Sequence, residues 1–156
     1  MVAPLQHKSA AGILLLFVRT DCPISNRYAP LLQQLYERFN PKNIDFWLVY
    51  PDPDESADAI LKHRKDFRLT IPALRDPNHL LVRKAEVRVT PEAAVFLPNG
   101  EEIYRGRIDD QYVDFGQQRP APTRSDLENV LARLSDGKPL TRTVNTAVGC
   151  YISGLP

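Results

Sequence analysis

The chain is 156 residues long, 43% hydrophobic and 25% charged, which is the size and balance of one ordinary globular domain with enough apolar surface for a real core. Twenty basic residues against nineteen acidic ones leave a formal charge of +1, and the longest basic run is only Lys62-His63-Arg64-Lys65, so no phosphate-tracking patch is encoded and nucleic acid is not an expected partner. The longest apolar stretch, residues 10–18, has about half the length of a membrane-spanning helix, so no span is expected.

That stretch follows Lys8 but runs into Arg19-Thr20-Asp21 without a small-residue cleavage site, so it is not a signal peptide. Residues 13–18 (ILLLFV) are instead predicted to form a fully buried strand, being short, apolar and bounded by turn-prone or charged residues. Residues 23–39 predict a helix, with Tyr28, Leu31 or Leu32, Leu35 and Phe39 on one face; Pro30 interrupts that face and predicts a kink. Residues 44–50 (IDFWLVY) predict a second strand, ended by Pro51-Asp52-Pro53-Asp54. A helix is expected over 56–67 with Ile60, Leu61, His63 and Phe67 near its inner face, and a shorter one over 78–87. Segments 93–97 and 103–107 flank Pro98-Asn99-Gly100, and Asn-Gly between two extended runs signals a hairpin. Ser125 is placed to cap a last helix over 126–134, stopped by Gly137 and Pro139. This order predicts an α/β domain: a central sheet with helices on both faces and its first two strands parallel.

The chemistry is expected where the first strand meets the first helix. Asp21-Cys22-Pro23-Ile24-Ser25 puts a cysteine at or beside the first helical position, where unpaired N–H groups and the helix dipole favour a thiolate. Arg19 and Arg27 add to that field and Asp21 opposes it; the competing reading is a small buried core residue. The two cysteines, Cys22 and Cys150, permit one disulfide at most. His7, His63 and His79 lack metal spacing, and His63 reads as a helix-face residue. Nucleotide-loop, zinc-hydrolase and serine-elbow motifs are absent, and Ser25 has no nearby histidine to activate it. Arg107, Asp109 and Arg119 mark a long loop that is either a substrate-binding element or a surface ion-pair network.

Residues 17–39 (FVRTDCPISNRYAPLLQQLYERF) and 87–110 (VRVTPEAAVFLPNGEEIYRGRIDD) resemble the two halves of a thioredoxin-fold active site. More narrowly they resemble the bacterial redoxin or peroxiredoxin-like (AhpC/TSA-type) branch, with D-C-P-x-S-N-x-Y after the first strand and R-G-R-I-D-D after the hairpin. The resemblance implies a thioredoxin-like three-layer sandwich over residues 1–156, with a helical insertion between the second strand and Pro91 and a C-terminal tail, 138–156. It implies that Cys22 is the nucleophile, that Pro30 is the helix-kinking proline, and that Thr90-Pro91 is a cis pair facing the cysteine. Ser25 and nearby backbone N–H groups would then stabilise the thiolate while Pro91 shapes the partner's groove.

The sequence also departs from the family. Ser25 stands where thioredoxins carry their second cysteine, Arg19 and Leu15 stand where peroxiredoxins carry Thr or Ser and Pro, and no acidic residue occupies the region of Leu16. Cys150, in the segment Asn145-Thr146-Ala147-Val148-Gly149-Cys150, resembles the branch's T-x-x-G-C tail and is either a resolving thiol or a bystander. The function so implied is that of a thiol-disulfide redox protein, with no cofactor and with a protein or small-molecule thiol or disulfide as partner. A thiol peroxidase and a Cu(I)-binding module using Cys22 and Cys150 are the alternatives, beside a degenerate fold with a relict cysteine. A periplasmic or otherwise exported location is expected, with any signal absent from this chain.

Overall fold

The computed structural model describes residues 4–6 and 10–155, so His7 lies outside the described residues. Its centre is β1, Gly12–Phe17, a six-residue run without a polar side chain and buried throughout. Such a strand is stable only with strands on both edges and cover on both faces. On one edge it pairs in parallel with β2, Ile44–Tyr50, bringing Leu14 opposite Phe46 and Leu16 opposite Leu48.

The two faces of β1 follow from the period-two alternation of its side chains. Leu14 and Leu16 belong to one core with Tyr28, Leu32 and Leu35 of helix α1, Pro23–Phe39. Ile60 of α2, Ala57–Asp66, and Leu127 and Leu131 of a C-terminal helix, Asp126–Ser135, complete that layer. Ile13, Leu15 and Phe17 face the opposite core, with Val82 and Ala85 of α3, Leu80–Ala85. Each fully buried aliphatic side chain contributes about 1.5 to 3 kcal/mol, so β1 anchors both layers.

The remaining strands are short. β3 (Ala73–Arg75) extends the sheet parallel to β2; β4 (Val89–Thr90) precedes β5 (Glu92–Phe96), which pairs antiparallel with β1 and with β6 (Glu102–Gly106). A small hairpin, β7 (Tyr112–Asp114) and β8 (Gln117–Gln118), precedes the C-terminal helix, which is α4. After α4, β9 (Thr143–Asn145) runs parallel to β6, giving a mixed sheet in the order β3-β2-β1-β5-β6-β9. The chain then turns back, and β10 (Cys150–Tyr151) pairs antiparallel with β4. The close pass of β9 over β6 uses Gly106, whose φ is +142° and where a Cβ would lie 1.8 Å from the Asn145 carbonyl oxygen.

The expected layering, the parallel first pair and the helical insertion between β2 and Pro91 are present, and α1 and β2 carry the expected bounds. Several details differ. Leu61 is 60% exposed, and Phe67, beyond the last turn of α2, is 36% exposed, so the inner face of that helix rests on Ile60 and His63. α3 is shorter than expected because His79 and Glu86 adopt positive φ at its two ends. Ser125 holds the N-cap position of α4 but makes no capping hydrogen bond.

Candidate active site

Cys22 is the N-cap residue of α1: its backbone is extended and its carbonyl accepts the first helical bond from Asn26 N–H at 2.9 Å. Pro23 follows at the first helical position, where its missing N–H costs nothing. Opposite this turn, the Thr90–Pro91 peptide bond is cis and the Thr90 carbonyl oxygen lies 3.3 Å from Cys22 Sγ. The Thr90 hydroxyl is buried without a hydrogen-bond partner among the described residues.

Cys22 is joined to Cys150 in a disulfide with a Cα–Cα distance of 6.1 Å. The tail reaches it by strand pairing, with Cys150 opposite Thr90 and Tyr151 opposite Val89. Gly149 enters so closely that a Cβ there would stand 2.1 Å from the Thr90 carbonyl oxygen. Beyond the disulfide, Ile152 donates its N–H to the Arg88 carbonyl at 2.9 Å and buries its side chain in the α3 core. Cys22 is therefore neither a solitary core thiol nor a thiol without a partner in its own chain. Its exposure is 1%, while Cys150 is partly exposed and Tyr151 is 80% exposed.

A polar lattice holds the loop between β1 and Cys22. Arg19 pairs with Asp21 at 2.6 Å and with the buried Asp52 at 3.1 Å, and it reaches Ser153 of the tail at 3.3 Å. Two carboxylates thus answer the charge that the sequence assigned to the thiolate's field. Arg27 turns away to donate to Gln118 at 2.9 Å. Ser25 Oγ accepts from the Arg19 backbone N–H at 3.4 Å, so its hydroxyl serves the loop. Thr20 N–H donates to Glu55 at 3.2 Å, and burial pushes that carboxyl's pKa up.

Behind the loop runs a buried relay that the sequence did not disclose. Asn26 donates its amide N–H to the Thr20 carbonyl at 2.9 Å, which leaves its Oδ1 to accept from His63 Nε2 at 2.7 Å. In the neutral ring His63 Nδ1 then accepts from the Tyr50 hydroxyl at 2.8 Å, with the ring proton on Nε2. Burial lowers the His63 pKa in the same direction. Asn26 lay within the motif, and inward-facing His63 was expected; only folding joins them. His79 Nε2 meets the Pro51 carbonyl at 2.9 Å.

The long loop is tied down at each expected residue, and Arg107, Asp109 and Arg119 do not pair with one another. Arg107 binds Asp126 at 2.6 Å, Asp109 accepts from the Tyr28 hydroxyl and from Gln111 N–H, and Arg119 donates to the Asp110 carbonyl at 3.1 Å. Burial and the bond to Asp109 push the Tyr28 pKa upward. Asp110 receives the Thr123 hydroxyl and the N–H groups of Thr123 and Arg124, and these bonds hold its carboxyl low, at about 2. The β7–β8 hairpin overhangs the start of α1 and leaves a cleft of about 280 Å³ lined by Pro23, Ile24, Arg27, Tyr112, Phe115 and Gln118.

A mixed sheet covered by helices, with a helix-capping cysteine beside a cis proline and bonded to a second cysteine, defines a thioredoxin-like redoxin. The AhpC/TSA family model matches residues 4–106, and the chain belongs to that family. Comparison with curated proteins finds no match. A conserved protein of Geobacillus kaustophilus is similar in structure, with a TM-score of 0.82, 22% identity, and coverage of 96% of this chain and 80% of that one. A protein of Sinorhizobium meliloti 1021 gives 0.79 at 19% identity, covering 93% of this chain and 80% of its own. A secreted Mycobacterium tuberculosis disulfide oxidoreductase, homologous to E. coli DsbE, gives 0.54 at 17% identity, covering 82% and 83% of the two chains. Among the described residues no helix is long and apolar enough to cross a membrane.

Proposed function

We propose that this protein is a thiol-disulfide oxidoreductase in which Cys22 is the nucleophile and Cys150 the resolving thiol. Residues 1–156 act as one thioredoxin-like domain whose tail, 138–156, delivers Cys150. The observation that carries this reading is the Cys22–Cys150 disulfide at the N-terminus of α1, beside cis Pro91.

In the reduced protein the Cys22 thiolate attacks one sulfur of a partner disulfide, and the partner's other sulfur leaves as a thiolate. The Cys150 thiolate then attacks Cys22 Sγ, and the second partner sulfur departs. The partner gains two electrons and the protein is left with its internal disulfide. Thr90 and Pro91 form the wall of the groove against Cys22, and Ser25 keeps the loop in place through Arg19. The partner is a protein or small-molecule disulfide, and the cleft beside Pro23 and Phe115 offers apolar contact to groups flanking its sulfur. An exported location, where disulfides persist, fits this chemistry.

The peroxidase reading lacks support at Arg19, whose guanidinium is held by Asp21 and Asp52. The Cu(I) reading lacks support because both sulfurs are consumed in the disulfide. The test is reduction of a peptide disulfide by the reduced protein. Each chain is expected to deliver two electrons and end with Cys22 bonded to Cys150, Cys22→Ser is expected to be inactive, and Cys150→Ser is expected to accumulate a mixed disulfide at Cys22. Undiminished activity of Cys22→Ser overturns the assignment.

A further inference from the structure

We propose that the protein carries a second ligand site, separate from its disulfide: a cleft between α3, the approach to β4 and the end of the tail, which takes an organic dicarboxylate with an apolar body. The cleft measures about 410 Å³, within the range of pockets that hold small organic ligands and far more than one inorganic anion fills. Cys22 belongs to the core under α1, whereas Val82 and Val87 of the cleft belong to the core under α3, so the two sites lie on different faces of the sheet. Binding there needs only the docked tail and is independent of electron transfer at Cys22.

The cleft is cationic. The guanidinium groups of Arg83, Arg88 and Arg105 line it against a single carboxylate, Glu86, which leaves an excess of two positive charges. Arg105 is answered in place: its side chain is 19% exposed, and its Nη1 pairs with Glu86 at 2.7 Å and reaches Glu102 at 3.7 Å. Arg83 and Arg88 are exposed, and among the described residues neither is in an ion pair. Polar groups close by are engaged with the backbone. His79 Nε2 donates to the Pro51 carbonyl at 2.9 Å, and Glu92 Oε1 accepts the N–H groups of Arg88 and Val89 at 2.8 and 3.2 Å.

A guanidinium meets a carboxylate through a planar two-point fork, and a concave wall of protein strengthens that attraction by focusing the field. The two unanswered cations stand on different stretches of chain, Arg83 within α3 and Arg88 just before β4, so they match two acidic groups. The apolar lining, Val82, Val87 and Leu155, matches an apolar body that joins them.

The backbone is bent around this cleft. His79 and Glu86, at the two ends of α3, both line it and both hold left-handed conformations, with φ of 58° and 61°. Such conformations outside glycine cost free energy and cluster where a ligand is held. The tail adds the remaining wall: Ile152 is buried, Gly154 turns at a φ of 87° beside His79, and Leu155 packs on the α3 core. A dicarboxylate in the cleft therefore bridges α3 to the tail.

The test is calorimetric titration of the oxidised full chain with isophthalate, beside benzoate, which has the same ring and one carboxylate, and inorganic phosphate, which has no ring. Isophthalate is expected to saturate a single site and to bind about tenfold tighter than benzoate, the gain of one further charge-assisted bond. Equal affinities for these two overturn the two-headed ligand, and phosphate binding as tight as isophthalate overturns the apolar body. Arg83→Gln and Arg88→Gln are each expected to weaken isophthalate about tenfold. Arg38→Gln removes the same charge from α1 in the opposite layer and is expected to leave the affinity within about twofold. Equal weakening by all three reduces the effect to overall charge and overturns the site. Leu155→Glu and Leu155→Gln, alike in shape, test the cleft without touching the arginines. The first is expected to weaken isophthalate about tenfold more than the second, because its carboxylate competes for the same cations. No difference between them removes the tail from the cleft and overturns its part in the site.

Discussion

Cys150 is the strand partner of Thr90, the residue directly before the cis bond to Pro91. The tail thus reaches Cys22 through a backbone ladder, and the disulfide closes a loop across 128 positions. Removing the cross-link restores the conformational freedom of that loop to the unfolded chain, worth about 5 kcal/mol in loop-closure entropy. The oxidised wild type is therefore expected to unfold at markedly higher urea than Cys150→Ser. Equal midpoints would show that the unfolded chain is not constrained by the bond.

His63 supplies a pH dependence with a definite sign. Its folded-state pKa is depressed by burial, so the neutral ring is the folded form, whereas the unfolded chain takes up a proton near 6.5. The stability it contributes is present above about pH 6.5 and is lost as the pH falls towards the depressed folded value. Glu55 and Glu92, raised by burial, act in the opposite sense as they ionise, so the wild-type curve alone mixes the two effects. Urea midpoints of wild type and His63→Gln between pH 5 and 7.5 isolate the imidazole. Wild type is expected to lose more stability on acidification, and parallel curves contradict the neutral relay.

Gly106→Ala tests the pairing of β9 with β6. The substitution places a methyl in the Asn145 carbonyl at a φ of +142°, so the strand pair must separate. Strain and overpacking together predict a loss of about 2 kcal/mol or more, measured as a lower urea midpoint at unchanged slope. A neutral effect would mean that the pairing of Gly106 with Asn145 contributes nothing.

Tyr28→Phe removes one of the two donors that Asp109 receives at a single oxygen, leaving Gln111 N–H. A buried carboxylate short of a donor costs about 1 to 3 kcal/mol. Because Tyr28 belongs to α1 and Asp109 to the segment after β6, faster proteolysis within residues 110–124 is expected alongside the lower stability. Unaltered proteolysis would separate the loop from this bond.

Much of the layering was legible because local signals agreed. Residues 23–39 combine a helical apolar period with Pro at the start, and 44–50 end against two prolines, so both elements were expected at their observed bounds. Cys22 was legible as a candidate for the same reason, since it stands at a strand-to-helix turn. β3, β9 and β10 were not legible: two or three residues carry no period, and each exists only because a distant strand accepts it. The buried carboxylates Asp52 and Glu55 escaped notice because acidic residues after a strand read as a solvated turn until Arg19 and Thr20 N–H are brought against them. Leu61 was expected inside because hydropathy reports preference, while the position of α2 decides which side faces the sheet.

The spacing of the two cysteines also has a meaning in time. A ribosome adds about 5 to 20 residues per second, so Cys22 is made roughly 6 to 26 s before Cys150 across the 128 positions between them. Throughout that interval the nascent chain carries a thiol whose own mate does not yet exist, and any bond it forms is with another molecule. Pairing with Cys150 is therefore possible only after the tail strand is made, with Cys22 either still a thiol or freed by exchange, and that strand decides whether the first helix is cross-linked within its own chain.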